Sequence, residues 1–376
     1  MPRVLIAPDK FKGSLSGAEV AAAIGRGLSR HGAARTVALP VADGGDGTVA
    51  AAVASGYLEV PVEATGPTGQ PVATHYARRG DVAVVEMAAV SGLAQLPGGR
   101  LAPMTATSRG TGEILLAAVE GGCREIVLGI GGSATTDGGA GMVRALGAVF
   151  TDAHEQPLTD GGQALAGLHH LDVSAVRERM DGVCLVVACD VDNPLTGPHG
   201  AAAVYGPQKG ADDLQVAELD AALGHYADLV AAQVGRDERE APGAGAAGGV
   251  GFAGLALLGA QLRPGVDVVF DLIGFEEALE GADLVVIGEG SLDEQTLNGK
   301  APAGVAAAAA LRGVPVVAVC GRSTLSAGDL RRAGITATYA LSDLEPDVER
   351  SMRDATALLE HLGEQVSEDL FASDNH

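Results

Sequence analysis

The sequence is poor in cysteine and in aromatic side chains. It has no tryptophan, and aromatic residues make up only 3% of its 376 residues. Its four cysteines are isolated, with no C-x-x-C pair among them: Cys123, Cys184, Cys189 and Cys320. This spacing indicates neither a zinc site nor a disulfide framework. With hydrophobic residues at 47%, the core must be built mainly from Ala, Val, Leu and Ile.

Basic residues are scarce compared with acidic ones. The chain has 25 Lys and Arg against 48 Asp and Glu, which gives a net charge of −23. A field of that sign repels phosphate backbones and anionic lipid headgroups, so we expect neither a nucleic-acid partner nor a membrane surface. The N-terminus lacks the layout of a signal peptide, which predicts a cytoplasmic protein.

Several catalytic motifs are also missing. The sequence contains no G-x-x-x-x-G-K-[ST], which excludes a P-loop enzyme, and no G-x-S-x-G serine elbow. His169 and His170 have no H-E-x-x-H context and are expected on the surface. Neither a zinc enzyme nor a serine hydrolase is therefore favoured.

A G-x-G-x-x-G match occurs at Gly243, Gly245 and Gly248. It follows a charged stretch rather than a strand, so it lacks the context of a dinucleotide-binding fingerprint. The surrounding uncharged segment, residues 241–262, contains many Gly residues and a Pro. We interpret it as a buried loop and helix rather than a membrane span.

Both ends of the sequence show the alternation of strand and helix that is typical of a parallel sheet. Ser16 and Glu19 have capping-box spacing and predict the start of a helix that runs to about Arg30. Short apolar runs predict buried strands at residues 4–7, 36–42, 125–130, 184–188, 284–287, 315–319 and 336–341.

The middle of the chain changes pattern. Residues 57–64 and 71–77 alternate like strands around a Gly-Pro-Thr-Gly turn, which predicts a β-hairpin, and a third strand follows at 82–87. We therefore predict an α/β protein with a parallel-sheet domain made of residues 1–60 and 265–376. A second α/β domain with hairpins, residues 61–264, is inserted into it, and the active site is expected in the cleft between the two.

Four glycine-rich loops also carry acids or hydroxyls or follow strands: residues 43–48, 129–141, 243–251 and 288–293. Glycine lets the backbone approach a phosphate, and N–H groups at a helix start point at it. The second loop fits this role best because it follows a strand and precedes a helix. Its candidate phosphate or nucleotide ligands are Gly131, Gly132, Ser133, Thr135, Thr136 and Asp137.

Lysine is rare, while arginine is common. The four lysines are Lys10, Lys12, Lys209 and Lys300, and all lie in distinctive segments. A compact ammonium is preferred where a planar guanidinium does not fit, so these positions are candidates for contacts with an anionic ligand. Asparagine is similarly restricted, with Asn193 and Asn298 beside such segments.

Carboxylates follow several predicted strands: Asp9, Asp43, Asp46, Asp190, Asp192, Glu289 and Asp293. In open parallel sheets ligands bind at the carboxyl ends of the strands. Phosphoryl transfer needs carboxylates for Mg²⁺, cations and N–H groups for the phosphates, and a base near the acceptor hydroxyl. The sequence supplies all of these groups, although any single Asp after a strand is as often a helix cap or turn former.

These segments together resemble the bacterial-type (type 1) glycerate kinase family. The resemblance spans residues 7–16, 40–48, 129–142, 188–195, 205–210 and 288–300. It implies ATP-dependent phosphorylation of glycerate with Mg²⁺, and a flavodoxin-like domain that carries a second α/β domain. It also implies 2-phosphoglycerate as the product, with 3-phosphoglycerate or a related small hydroxy acid as alternatives.

Our working hypothesis assigns roles within this resemblance. Lys10 or Lys12, with Ser14, would hold the glycerate carboxylate, and Lys300 or Lys209 would offset charge on the transferred phosphoryl group. Asp190 is the expected base, with Asp43 and Asp46 as rivals. The remaining roles are Mg²⁺ binding by Glu289 and Asp293, and substrate binding by Asp43, Asp46 and Asn193.

Two other function classes stay open at this point. One is a nucleotide-dependent oxidoreductase that uses the loop at Gly243, and the other is a sensor that binds a sugar acid without turnover. Neither explains why the rare lysines coincide with the acidic glycine loops. The oligomeric state is also open, with a homo-oligomer among the alternatives.

Overall fold

The structure is a computed structural model that describes residues 1–30, 34–294, 296 and 300–371. Asn298 and Gly299, which the sequence singled out, lie outside the described residues. The strands are β1 (Arg3–Pro8), β2 (Arg35–Ala38), β3 (Leu58–Thr65), β4 (Pro71–Arg79), β5 (Val82–Glu86), β6 (Glu125–Gly129), β7 (Val149–Thr151), β8 (His170–Asp172), β9 (Cys184–Ala188), β10 (Gln261–Arg263), β11 (Leu284–Leu292), β12 (Val316–Ser323) and β13 (Ile335–Ala340).

The helices are α1 (Gly17–Ser29), α2 (Thr48–Ala54), α3 (Ala88–Ser91), α4 (Arg109–Glu120), α5 (Ala140–Ala145), α6 (Ser174–Arg179), α7 (Ala201–Tyr205), α8 (Asp213–Val234), α9 (Ala246–Leu258), α10 (Gly265–Ile273), α11 (Phe275–Leu279), α12 (Ala301–Leu311), α13 (Ala327–Arg332), α14 (Leu341–Leu344), α15 (Val348–Arg353) and α16 (Ala355–Phe371). Short 3₁₀ turns span Leu93–Gln95, Pro97–Gly99, Gly162–Gly167 and Pro207–Lys209.

The chain divides into two compact units. The first contains Met1–Asp43, Ala50–Gly56 and Val266–His376, and the second contains Gly44–Val49 and Tyr57–Gly265. Residues 44–49 therefore group with the second unit. Each unit has its own sheet and its own hydrophobic core.

The first unit is built on a parallel sheet with the strand order β13-β12-β11-β1-β2. Counted within this unit alone, that is the order 2-1-3-4-5 typical of flavodoxin-like sheets. The direction of the order reverses between β1 and β11, which pair with Val4 opposite Leu284 and Ala7 opposite Ile287. Ligands of such sheets bind at this switch point, outside the carboxyl ends of the strands.

The second unit has a mixed sheet with the order β10-β9-β6-β5-β4-β3. β10, β9, β6 and β5 are parallel, whereas β3 and β4 form the predicted antiparallel hairpin, with Leu58 opposite Arg78. β7 and β8 form a separate antiparallel pair. The α/β fold class predicted from the sequence, with a flavodoxin-like parallel sheet and a unit that contains a hairpin, is confirmed.

Local signals explain where several elements begin. The Ser16 hydroxyl accepts a hydrogen bond from the Glu19 N–H (3.3 Å), and the Glu19 carboxylate accepts one from the Ser16 N–H (2.8 Å), so the predicted capping box is confirmed. The apolar segment after Ala241 forms α9, as expected. In the described part of the chain, no helix is both long and apolar enough to cross a membrane.

Two strand boundaries differ from the sequence prediction. β2 ends at Ala38 rather than near residue 42, although the N–H groups of Leu39 and Val41 still donate to the carbonyls of Ile6 and Pro8 in β1 (2.8 and 2.9 Å). β11 does not end at Ile287 but continues to Leu292 through residues predicted as a loop. The extension pairs with β12, with Glu289 opposite Cys320 and Ser291 opposite Arg322.

Candidate active site

Acidic side chains gather at the switch point of the first sheet. Asp9 directly follows β1, and its N–H donates to the carbonyl of Gly288 in β11 (2.8 Å). Its Oδ1 accepts a hydrogen bond from the Lys10 N–H (2.6 Å). Burial raises the pKa of Asp9 to about 7; Lys10 opposes this shift, and the nearby charges of Asp43 and Glu289 add to it. The topology thus brings together carboxylates from β11 and from the segments that follow β1 and β2.

Lys300 and Glu289 form an ion pair in the same cluster. Lys300 Nζ lies 2.9 Å from Glu289 Oε1, and the Thr296 hydroxyl donates to Glu289 Oε2 (2.6 Å). Asp293 Oδ1 accepts a weaker bond from the Thr296 N–H (3.3 Å). Burial lowers the pKa of Lys300, but the hydrogen bond and charge of Glu289, with Asp293 and Asp43, outweigh it and raise that pKa overall. The ammonium therefore stays charged at neutral pH.

Lys10, Lys12 and Ser14, which were predicted to hold the carboxylate of the substrate, lie on a tight loop after β1. Phe11 and Leu15 close it through paired backbone hydrogen bonds of 2.8 and 3.0 Å. Lys12 is exposed on this loop, whereas the Ser14 hydroxyl donates to the carbonyl of Met352 (2.8 Å). The single proton of Ser14 is thus used to fasten the loop.

The predicted phosphate loop leaves β6 in the second unit. Gly131 is half-buried and Gly132 exposed, while Ser133, Thr135 and Thr136 are buried. A Cβ added to Gly131 would lie 2.7 Å from the Cα of Gly45, so only glycine allows these two loops to approach this closely. The accessible part of the loop is its glycine pair, and its hydroxyl-bearing part lies beneath.

Asp137 is completely buried and holds two helix starts together. Its carboxylate accepts hydrogen bonds from the N–H and hydroxyl of Ser108 (2.8 Å each), and from the N–H groups of Gly139 (3.1 Å) and Gly141 (3.2 Å). Burial raises the pKa of Asp137, and these donors act against the shift. The geometry is that of an anchor for α4 and α5, and sequence reasoning missed Ser108 as its partner.

Lys209 points into the protein from the turn Pro207–Lys209. Its Nζ donates to the Ser133 hydroxyl (3.0 Å) and to the Thr135 carbonyl (2.6 Å), and only 2% of the residue is exposed. Burial lowers the pKa of Lys209 to about 7, although the charge of Asp137 raises it. The structure thus brings Lys209 to the phosphate loop, on its inner side.

A buried glutamate organises the loop that carries Asp46. Glu86, at the end of β5, accepts hydrogen bonds from the N–H groups of Gly47 (3.0 Å) and Val49 (3.3 Å), and Thr48 donates to the Gly45 carbonyl (2.7 Å). Asp46 stays exposed at the tip of this loop. Sequence reasoning missed Glu86, whose only signal was an acidic residue at the end of an apolar strand.

The loop after β9 carries Asp190 and Asn193. Asp190 is exposed, and its Oδ1 accepts a hydrogen bond from the Gly265 N–H (2.7 Å). The Asn193 side chain accepts from the Tyr205 hydroxyl (2.7 Å) and donates to the His199 carbonyl (2.9 Å). Asn193 therefore stabilises this loop through both the oxygen and the nitrogen of its side-chain amide.

The glycine motif at Gly243 has a packing role. Gly248 has a φ of +71°, and a Cβ there would lie 1.9 Å from the Thr135 carbonyl oxygen. The Gly138 N–H donates to the Gly248 carbonyl (2.9 Å), so the motif packs directly on the phosphate loop. Its glycines are explained by close backbone contact, as expected from the missing strand before it.

A magnesium ion is compatible with the acidic cluster of the first unit. Within the described ranges, no group of three or more His, Cys, Asp or Glu side chains forms a protein-only metal cage. Mg²⁺ in phosphoryl-transfer enzymes needs only one or two carboxylates together with substrate phosphates. Glu289 and Asp293, joined through Thr296, supply that number of carboxylates.

Comparison with known proteins identifies the relatives of this chain. Residues 4–370 match the model of the glycerate kinase family. The glycerate kinase of Bacillus subtilis (strain 168) is 43% identical over 369 residues, which is 97% of each chain. The glycerate 2-kinase of Escherichia coli (strain K12) is 44% identical over 343 residues, which is 90% of each chain.

A solved structure shows the same likeness in three dimensions. The crystal structure described as glycerate kinase 2 of Salmonella typhimurium LT2 matches with a TM-score of 0.87 and 42% identity over 100% of both chains. The family resemblance predicted from the sequence motifs is therefore confirmed, and the chain belongs to the glycerate kinase family.

Proposed function

We propose that this chain transfers the γ-phosphoryl group of ATP to the 2-hydroxyl group of D-glycerate, releasing ADP and 2-phosphoglycerate. Family membership supports the kinase activity and ATP as co-substrate. The name of the Escherichia coli relative, glycerate 2-kinase, supports the position of transfer. The structural observation that carries the proposal is the Lys300–Glu289 pair at the switch point of a flavodoxin-ordered sheet.

Lysine side chains of the first unit would contact the two anionic reactants, glycerate and ATP. Lys12 is exposed and Lys10 half-buried on the loop after β1, where they can attract the glycerate carboxylate. Ser14 shapes this loop through its bond to Met352. Lys300, kept protonated by Glu289, would neutralise charge that develops on the transferred phosphoryl group. Catalysis of phosphoryl transfer depends chiefly on such electrostatic stabilisation and on positioning.

The second-unit loops would hold the nucleotide phosphates and the acceptor. Gly131 and Gly132 are the accessible part of the phosphate loop, with Ser133 beside them and the buried residues Thr135, Thr136 and Asp137 below. Asp190 is the proposed base for the glycerate hydroxyl, because it is exposed and one of its oxygens is fixed by Gly265. Asp43 and Asp46 remain rivals for that role, and Asn193 supports the loop of Asp190.

Mg²⁺ completes the proposed site. Glu289 and Asp293 would hold it, directly or through water. Bound there with ATP, the ion would neutralise part of the charge of the phosphates. We also propose that the reaction takes place in the cytoplasm, where ATP is available.

The test is ADP release from Mg-ATP with D-glycerate, with the product passed to enolase in the presence and absence of phosphoglycerate mutase. ADP release with enolase turnover and no mutase would support the 2-kinase. If enolase turnover requires the mutase, phosphate goes to the 3-hydroxyl instead. Absence of ADP release from folded protein would overturn the proposal, and nicotinamide reduction with a hydroxy acid would then point to the oxidoreductase alternative.

A further inference from the structure

Lys209 is buried in a way that lysine seldom is. Only 2% of the residue is exposed, and lysine is almost never fully buried unless it is paired. Its backbone is locked by a tight turn, in which the Lys209 N–H donates to Gly206 and the Gly210 N–H donates to Pro207, both at 3.0 Å. Gly210, with a φ of +96°, ends that turn. The fold therefore directs this ammonium inward rather than leaving it free to reach solvent.

In the described part of the chain, the two hydrogen bonds of the ammonium go to one short segment of the phosphate loop. Nζ donates to the Ser133 hydroxyl (3.0 Å) and to the Thr135 carbonyl (2.6 Å), more than 70 residues away along the chain. One bond holds the side chain before Ala134, and the other holds the backbone carbonyl after it. The Ala134 N–H in turn donates to the Ser91 carbonyl (2.9 Å), so the segment is held from two directions.

The charge of Lys209 is balanced without a direct ion pair. Asp137 is the acidic group that acts on it electrostatically, but the Asp137 carboxylate already accepts hydrogen bonds from Ser108, Gly139 and Gly141. An ammonium is costly to bury unless its donors and its charge are compensated. The contacts with Ser133 and Thr135 satisfy hydrogen-bond donors of the ammonium, and the negative charge of Asp137 helps to compensate its positive charge.

The segment that Lys209 holds adjoins the accessible glycines of the loop. Gly131 and Gly132 come immediately before Ser133, and glycine loses more conformational freedom on ordering than any other residue. A phosphate-binding loop that is ordered before its ligand arrives binds more tightly, since ordering then costs less at binding. An internal clamp next to a glycine pair has the geometry for such preorganisation.

We propose that Lys209 is a positioning residue for nucleotide binding, whose ammonium orders residues 131–135 from inside the protein without touching the phosphates. The proposal rests on the proposed function, because it assumes that this loop binds ATP. Two other roles give different results when tested. One is that of a direct phosphate ligand, and the other is that of a group that contributes to stability alone.

The experiment compares wild type, Lys209→Met and Tyr226→Phe. Tyr226 is the matched control, because it is equally buried beside Asp137 and its hydroxyl has no hydrogen-bond partner in the described structure. Hydrogen exchange of the peptide covering residues 131–137 is measured on the nucleotide-free protein. Dissociation constants for ATP and ADP are measured by calorimetry, and kcat and KM by ADP release.

We expect Lys209→Met to speed exchange in this peptide by about tenfold or more, since both hydrogen bonds from Nζ to Ser133 and Thr135 are lost. Affinity for ATP and for ADP should weaken by a similar factor, and KM for ATP should rise more than kcat falls. Tyr226→Phe should leave all these quantities within about twofold of wild type, because no hydrogen bond is removed.

Three outcomes would overturn the proposal. Unchanged exchange with a selective loss of ATP over ADP affinity would make Lys209 a ligand of the γ-phosphate. A lower Tm with wild-type exchange, affinity and kinetics would make its role one of stability alone. If Lys209→Met does not fold, Lys209→Arg keeps the charge but displaces the donors, and wild-type exchange and nucleotide affinity in that variant would equally contradict the proposal.

A failure of the proposed function gives a separate signature. Wild type would then bind nucleotide, or fail to bind it, without phosphorylating D-glycerate. Hydrogen exchange would still report whether Lys209 orders the loop, because that measurement needs neither substrate nor turnover.

Discussion

Lys300 Nζ lies 2.9 Å from Oε1 of Glu289, and this pair joins the start of α12 to β11. The other carboxylate oxygen of Glu289 accepts from Thr296, so both of its oxygens are engaged. The lysine side chain is about one-third exposed, whereas that of the glutamate is only 11% exposed. The mostly buried Glu289 thus holds the ammonium in place, while part of the lysine side chain remains accessible to a ligand.

Lys300→Met should lower kcat by about 10²–10³-fold, the usual cost of removing one group that stabilises transition-state charge. Arg312→Met is the control, because it breaks the exposed Arg312–Glu276 ion pair of the same unit and exposed pairs contribute little. Both are measured by ADP release at saturating ATP and D-glycerate. Turnover of Lys300→Met within twofold of the control would remove Lys300 from the reaction.

Asp190→Asn should reduce kcat by about 10²–10⁴-fold if Asp190 is the general base. The amide can keep the acceptor that binds the Gly265 N–H, so the fold should survive. Asp192→Asn, which changes an exposed aspartate two residues away, should behave like wild type. Near-normal turnover in Asp190→Asn, with a large loss in Asp43→Asn or Asp46→Asn, would transfer the role to one of those residues.

Asp9 should make folding stability depend on pH between about 4 and 7. Its pKa is about 7 in the folded protein, against 3.8 ordinarily, so between those values the folded state binds more protons than the unfolded state. Stability contributed by this group is therefore present at low pH and is lost as pH rises through that window.

Asp9→Asn removes this ionisation, and we expect it to raise the free energy of unfolding at pH 8. The difference from wild type should shrink as pH falls towards the ordinary pKa of the carboxyl group. Urea unfolding at several pH values checks both statements. An Asn variant that is less stable than wild type at pH 8 would show that the Asp9 carboxylate is stabilised in the fold rather than strained.

Gly248→Ala should destabilise the second unit strongly. A Cβ at this position would lie 1.9 Å from the Thr135 carbonyl oxygen, at a φ of +71°. Gly259→Ala is the matched control, because Gly259 ends the same helix at a φ of +65° with nothing within 4 Å of the added Cβ.

The control should cost about 1–2 kcal/mol from left-handed backbone strain alone. Gly248→Ala should cost roughly 1–3 kcal/mol more because the neighbouring loop must shift. Urea unfolding measures both variants. Equal costs would mean that this loop yields easily and that its contact with Thr135 contributes little.

Sequence reasoning succeeded where the signal was local. The capping box of Ser16 and Glu19, the hairpin of β3 and β4, and the apolar run of β9 were all predictable from a few neighbouring residues. It failed where a distant strand decided the outcome. Glu289 and Ser291 have the composition of a loop, yet they extend β11 because β12 lies alongside to pair with them.

The candidate site divides in the same way. Its residue types, four rare lysines and carboxylates at strand ends, were visible in the sequence and carried the family resemblance. The residues that hold the site loops through hydrogen bonds could not be recognised in the sequence. Glu86 and Ser108 had no motif to mark them, and both became significant only through hydrogen bonds to residues 29 or more positions away.

The sequence by itself thus determined the fold class, the family and the loops that carry polar groups, because hydrophobic period, turn residues and motif spacing are local properties. Only the tertiary structure decided which lysine faces solvent and which faces inward. Lys12 and Lys209 have the same chemistry, but one lies on an exposed loop and the other beneath a packed glycine segment. Burial and hydrogen-bond partners are set by chain segments far apart in sequence, and no local pattern records them.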